Sequence, residues 1–357
     1  MTSNINVQSF QDMRSPIDIV SHLPITAEIE NNIRIWRQEI SNILNKQDKR
    51  LIVVVGPCSI HDPNMALDYA RQLKVLSDKF SDRLRIVMRV YFEKPRTTVG
   101  WTGLINDPYL DGSYKINEGL FTARKLLLEI NKIGLPVGCE FLDVFTPQYY
   151  ADLVSWGAIG ARTTESQLHR QLASGLSMPI GFKNGTGGSI DIARDALISA
   201  SSPHVFLGIN NLGYSCRIST NGNKNVHIIL RGSKHAPNYY PEKVQEACEI
   251  LQQKGLQPKV MIDMSHGNSR KIHMNQLVVG QSVCNQISNG SNNIIGVMIE
   301  SNIKEGNQKL TNVSELKYGV SITDACININ TTLNLLQELH KSLGIRFTKK
   351  RCMETNL

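Results

Sequence analysis

The sequence predicts an α/β fold, a (β/α)8 TIM barrel with an N-terminal helical extension and an inserted β-hairpin. Three observations lead there. After residue 50, short apolar runs alternate eight times with longer stretches of helical periodicity. The runs are apolar throughout, as parallel strands covered by helices must be. The turn after the first run reads GPCSIHDP, without the GxGxxG spacing of the competing doubly wound sheet. A barrel of this kind typically takes about 250 residues, which the segment after residue 50 accommodates.

The elements follow in order. In residues 1–50, Ile29, Ile33, Trp36, Ile40 and Leu44 recur at helical spacing and mark an amphipathic helix that needs a partner surface. LIVVV (51–55) opens the barrel, and Asp62-Pro63 starts a helix with an N-cap and a proline at its first position. LRIVMRV (84–90) is followed by a long polar, aromatic loop and a helix from Asn117 closed by Gly134. PVGCEF (136–141), AIGAR (158–162), PIGFK (179–183), HIILR (227–231), KVMID (259–263) and IIGVMIE (294–300) supply the remaining strands, each leading into a helix. HVFLG (204–208) leads into a hairpin insert at about 209–226, turned by Asn221-Gly222. The last helix spans about Ala325–Leu343. This divides the chain into an extension (1–50) for oligomer or regulatory contacts, a catalytic barrel (51–345) and a basic, solvated tail (346–357).

Composition narrows the partners. Hydrophobic residues make up 41% and charged residues 20%, as in a soluble globular protein. No apolar run approaches the ~20 residues of a membrane span, and no secretory leader is visible. Seven cysteines, scattered and without a CxxC, argue against a disulfide scaffold and suit a reducing cytoplasm. The net charge of +8 favours anionic partners.

Ionisable residues stand at every predicted strand end, where a barrel gathers its chemistry. They are Cys58, Arg89 with Lys94 and Arg96, Glu140, Arg162, Lys183, Arg231, Asp263 with His266, and Glu300. Six of them are cations that would converge on one mouth, an arrangement a fold accepts when anions compensate. Arginine forks suit phosphate and carboxylate, and lysine adds a point charge able to move protons. A small substrate with several anionic groups is expected, not nucleic acid and not a membrane surface. Cys58, His266, Glu300 and Asp324 form a second set, with mixed S, N and O donors suited to one divalent metal (Mn, Fe, Co or Zn). Cys58 taken alone reads first as a buried thiol beside Gly56-Pro57, and His266 and Asp324 read equally as a turn residue and a helix N-cap. GFKNGTGGS (181–189) lacks Walker spacing, and is either a backbone phosphate cradle or a plain glycine turn.

Long collinear stretches resemble the class I 3-deoxy-D-arabino-heptulosonate 7-phosphate (DAHP) synthases. They include GPCSIHDP, RVYFEKPRTTVGW (89–101), GLINDPYLDGS (103–113), SWGAIGARTTESQ (155–167), GFKNGT (181–186), HIILRG (227–232), MIDMSHGNS (261–269), IESNIKEGNQ (300–308) and YGVSITDAC (318–326). The resemblance runs from about Gln8 to Leu343. It implies a transferase, 3-deoxy-7-phosphoheptulonate synthase, that condenses phosphoenolpyruvate with erythrose 4-phosphate at the entry to the shikimate pathway and aromatic amino acid biosynthesis. Carried over, the metal ligands fall on Cys58, His266, Glu300 and Asp324. Phosphoenolpyruvate contacts fall on Arg89, Lys94, Arg162, Lys183 and Arg231. Arg96 and Thr97 lie on the erythrose 4-phosphate side, and Glu140 completes the substrate set. Lys94 is the candidate for proton transfer, with His266 or a metal-bound water as rival. Thr102 and Gly187 depart from common family residues, and an extra residue falls near His235.

The resemblance further implies a homodimer or homotetramer and an allosteric aromatic amino acid. That pocket maps to Pro147, Gln148, Leu176, Ser177, Phe206, Gly208 and Ile218. Gly208, where phenylalanine-inhibited members tend to carry serine, points to tyrosine. Condensation with arabinose 5-phosphate, a Schiff-base aldolase using Lys183 and inhibition by phenylalanine or tryptophan are the alternatives.

Overall fold

A computed structural model describes residues 2–354, with side chains described to residue 349. Two helices, α1 (Pro16–His22) and α2 (Ala27–Leu44), precede the barrel. The repeating units then run β1 (Leu51–Gly56), α3 (Pro63–Lys79), β2 (Leu84–Arg89), α4 (Ile116–Ile133), β3 (Val137–Glu140), α5 (Pro147–Tyr150), β4 (Trp156–Ile159), α6 (Gln167–Gly175), β5 (Ile180–Lys183) and α7 (Ile190–Ala200). A hairpin, β6 (His204–Ile209) and β7 (Ser215–Thr220), interrupts them. The ring resumes with β8 (Val226–Leu230), α8 (Pro241–Gln252), β9 (Val260–Asp263), α9 (Asn275–Ser288) and β10 (Ile294–Asn302), and the chain ends in β11 (Ile327–Asn328) and α10 (Ile329–Glu354). Eight strands pair in parallel in the order β1-β2-β3-β4-β5-β8-β9-β10, and β10 closes on β1. This is the expected (β/α)8 barrel with its helical extension and hairpin.

Alternation inside the buried strands separates two cores. Val53 and Val55 face outward to the helices, whereas Ile52 and Val54 face the barrel interior with Trp156, Ile229, Met261 and Met298. The stripe on α2 is fully buried and splits between them. Ile29, Ile33 and Trp36 join the outer core, while Ile40, Ile43 and Leu44 pack with the interior residues and plug it. The two expected caps form. Asp62 accepts from Asn64 N at 2.8 Å, and Gly134 takes the left-handed φ of 91° that ends α4.

Three boundaries differ from the sequence reading. The fourth strand is Trp156–Ile159 and not 158–162, which leaves Arg162 in the turn beyond it. The hairpin lies earlier, at 204–220, with HVFLG as its first strand. Its turn is 210–214, held by Asn210 Oδ1 accepting from Leu212 N and Tyr214 N. Asn221-Gly222 is not the turn. Gly222 uses its positive φ to press against the Ser201 backbone, where a Cβ would meet the carbonyl at 2.3 Å. The last helix also starts later and runs longer than expected, because residues 327–328 pair with β10 first. Arg346 therefore belongs to a helix and is not a solvated end, and it donates to Ser291 O and Lys49 O. Among the described residues no helix is long and apolar enough to cross a membrane.

Candidate functional site

The strand ends deliver their side chains to one mouth. Arg89, at the end of β2, is fully buried and its guanidinium is fixed on all sides. It donates from Nε to Pro57 O (3.0 Å) and from Nη2 to Cys58 O and Glu300 Oε1 (both 3.1 Å), and it lies 3.6 Å from the Tyr91 ring centroid. Gly56 permits this approach, since a Cβ there would fall 2.6 Å from Arg89 O. Lys94 follows from the loop after β2 and donates from Nζ to Cys58 Sγ at 3.1 Å.

Donor atoms of Cys58, Glu300 and Asp324 lie within 4.8 Å of one another. The register explains part of this: Gly56 on β1 pairs with Glu300 on β10, which sets Cys58 just above the carboxylate. His266 stands at the margin of this group. Its Nε2 is 3.7 Å from Glu300 Oε1, and its Nδ1 is 2.8 Å from Asp263 Oδ2. Asp263 also contacts Lys183 Nζ at 3.1 Å, so one buried carboxylate orients an imidazole and a lysine together. A thiol, an imidazole nitrogen and carboxylate oxygens so placed fit a divalent metal of the borderline-soft kind. Asp324 is exposed and precedes β11, so it does not cap the last helix.

Charge is strongly organised here. Burial works against ionising Glu300, but His266, Arg89 and Lys94 outweigh it and hold the carboxyl below its ordinary range. Asp263 is likewise held well below, its burial overcome by His266 and Lys183. Burial and the Glu300 carboxylate push the Cys58 thiol up. Burial would lower Lys94, yet Cys58 and the carboxylates Glu300 and Glu140 leave it raised.

A cavity of about 260 Å³ opens above this cluster, and all six expected cations line it: Arg89, Lys94, Arg96, Arg162, Lys183 and Arg231. Thr97, Glu140, His266 and Asp324 share the wall. Arg96 sits on the rim with Nε on Trp101 O (2.7 Å), and Arg162 Nη2 reaches Thr97 Oγ1 at 3.4 Å. The glycine turn after Lys183 closes on itself through Gly188 N to Gly185 O, and of this stretch only Lys183 and Thr186 line the cavity. It is not the backbone cradle that one reading allowed.

Sequence reasoning missed several neighbours. Ser265 Oγ donates to Glu300 Oε2 at 2.7 Å, and Gln276 grips the Glu300 backbone with Nε2 on its carbonyl and Oε1 on its N–H. Lys271, Thr163 and Thr323 line the mouth. These contacts leave no periodic trace; the one available signal was the run of polar residues in MSHGNSRK.

On the barrel's outer face a cavity of about 850 Å³ lies between the extension and the hairpin. Pro147, Gln148, Leu176, Ser177, Phe206 and Ile218 line it, joined by Arg34, Arg37 and Glu30 from α2. Gly208 is not in the wall. A Cβ there would stand 2.3 Å from Ile218 Cδ1, so Gly208 leaves the room that the cavity-lining Ile218 side chain occupies.

Fold and site define the class: a (β/α)8 enzyme with a cation-lined pocket for a small polyanion beside a candidate metal centre. Comparison with known proteins makes it specific. Residues 24–337 match the DAHP synthetase I family. The chain is 52% identical over 349 residues to the "Phospho-2-dehydro-3-deoxyheptonate aldolase, Tyr-sensitive" of Escherichia coli (strain K12), covering 98% of each. It is also 52% identical over 343 residues to the Phe-sensitive enzyme of the same organism, covering 96% of this chain and 98% of the other. A solved phospho-2-dehydro-3-deoxyheptonate aldolase from Francisella tularensis SCHU S4 superposes with a TM-score of 0.94 at 48% identity, covering 96% of this chain and 99% of that one. The chain belongs to the DAHP synthetase I family.

Proposed function

We propose that this chain condenses phosphoenolpyruvate with erythrose 4-phosphate and water, giving DAHP and inorganic phosphate. The observation that carries the reading is the convergence of six cations on one pocket beside the Cys58–Glu300–Asp324 cluster. Two phosphates and a carboxylate are the anions this ring suits.

Cys58, His266, Glu300 and Asp324 would hold the divalent metal, which supplies Lewis acidity to the aldehyde carbonyl. Arg89 and Lys94 fix the phosphoenolpyruvate carboxylate, and Arg162, Lys183 and Arg231 hold its phosphate. Arg96 and Thr97 hold the aldose phosphate at the rim, and Glu140 lines the same pocket. The vinyl C3 then forms a bond to the aldehyde carbon, and Lys94 delivers a proton to the new hydroxyl oxygen. Water adds at C2, the C2–O bond to phosphate breaks, and the three cations stabilise the charge that leaves. His266 engages Asp263 through Nδ1 and would face the metal through Nε2, which leaves Lys94 the favoured proton donor.

The outer cavity is read as the effector site, with tyrosine as its occupant. Its apolar lining, joined by Glu30, Arg34, Arg37 and Asp152, suits an aromatic zwitterion. The exposed Ile5 and Phe10 of the N-terminal arm, together with Leu207 on the hairpin, support a homodimer or homotetramer. Six unpaired cysteines among the described residues support a cytoplasmic protein. The test is phosphate release from phosphoenolpyruvate with erythrose 4-phosphate, with and without EDTA, then with each aromatic amino acid. No turnover with any of the four metals overturns the proposal, as does equal turnover with arabinose 5-phosphate.

A further inference from the structure

Beside the catalytic pocket lies a second cavity of about 530 Å³. Arg162, Thr186, Arg231, His266 and Lys271 line both, so the two share a wall. Beyond it, the annex is built by residues 233–237 and Arg270; Lys234 and Arg270 face the annex and not the catalytic pocket. No carboxylate lines it. Among the described residues none of Arg162, Arg231, Lys234, Arg270 and Lys271 is ion-paired, in contrast to Arg89 and Lys183. Arg231 Nε is buried without a hydrogen-bond partner.

The walls are built with care. Gly267 N donates to Arg231 O at 3.0 Å, which stitches the two loops together. Gly232 has a φ of 73°, and a Cβ there would meet Asn268 N at 2.6 Å, so side chains are excluded from the seam. His266, Arg270 and Lys271 all adopt left-handed backbone, at φ of 53°, 52° and 60°. Non-glycine residues hold such conformations where the surroundings over-determine them, as at ligand clamps.

We propose that the annex is a second anion subsite that receives inorganic phosphate after it leaves the enolpyruvyl carbon, on its way to solvent. This rests on the catalytic pocket being the phosphoenolpyruvate site. A phosphate held by Arg162, Lys183 and Arg231 must exchange its cations to depart. Arg162 and Arg231 face both cavities, so the anion transfers without losing its compensation, and Lys271, Arg270 and Lys234 continue the path outward. The single-sign lining focuses potential along that path.

Calorimetric titration of inorganic phosphate into the metal-loaded full chain, saturated with phosphoenolpyruvate and without aldose, tests this. The expected result is one annex phosphate per chain, besides any held at the Arg96–Thr97 rim that is vacant without aldose, and this annex phosphate binds at least tenfold weaker in Lys234→Gln/Arg270→Gln, with phosphoenolpyruvate affinity changed less than twofold. Lys234→Arg/Arg270→Lys should restore binding. Absence of phosphate binding in the wild type, or equal affinity in the neutral double variant, overturns the proposal. Failure of phosphoenolpyruvate itself to bind would overturn the catalytic assignment instead. Phosphate on the free chain then decides the annex: an equivalent lost in the double variant supports it, and unchanged stoichiometry overturns it.

Discussion

Lys94 donates from Nζ to the sulfur of Cys58 at 3.1 Å, across the boundary between the anion pocket and the metal-donor cluster. One ammonium thus faces the cation-lined pocket and the thiol together. Lys94→Ala should reduce kcat by roughly 100- to 10,000-fold, the range for loss of a general acid. Lys94→Arg should not recover it, since the bulkier fork neither fits this contact nor gives up its proton. Steady-state phosphate release measures both.

Chelation should abolish turnover, with recovery on adding a divalent metal. Ser265 gives a finer test, because its hydroxyl donates to Glu300 Oε2. Ser265→Ala frees that oxygen and should weaken metal binding by about 10- to 100-fold while the fold remains intact. Direct metal titration reads this.

The Arg89–Glu300 pair is fully buried. Removing Arg89 takes away the guanidinium bonded to the buried Glu300 carboxylate and leaves that charge under-compensated. Arg89→Met should destabilise the chain by about 3–5 kcal/mol, seen as a lower midpoint in urea, besides losing activity.

Glu93 is buried against Thr146 Oγ1, and its burial with Asp143 nearby pushes its pKa up to about 8. The folded chain therefore keeps a proton that the unfolded chain has released. Stability referable to Glu93 is greatest near and below its ordinary pKa of 4.5 and falls as pH rises towards 8. Glu93→Gln should remove that slope. Urea midpoints across the pH window are the measurement, and an unchanged slope would falsify the assignment.

Gly208→Ser would push Ile218 into the outer cavity. Tyrosine inhibition should weaken by at least tenfold and phenylalanine inhibition should strengthen, with kcat unchanged in the absence of effector. Inhibition curves with both amino acids decide it.

Much of this was legible because a barrel strand is buried on both faces and reads as an unbroken apolar run. The charges that end or closely follow these runs are delivered to one mouth, which is why all six cations were found lining it. Asn221-Gly222 misled because a dipeptide that permits positive φ serves a close backbone approach as well as a turn. Asp324 was ambiguous for a similar reason, since an aspartate before an apolar stretch suits a cap or a ligand. The partners of Ser265, Gln276 and Lys271 were illegible, although two of the three stand in the polar run MSHGNSRK. Those partners lie on other strands and loops, and only folding brings them together.

Gly56 pairs with Glu300 where the ring of strands closes. The thiol comes from the first strand of the ring and the carboxylate from the last, so this centre exists only across the seam where the circle shuts. A chain emerging from the ribosome presents Cys58 early but has nothing to set against it until the eighth strand is made and docked. Metal retention therefore reports on completeness: any product truncated before residue 300 should be metal-free as well as inactive.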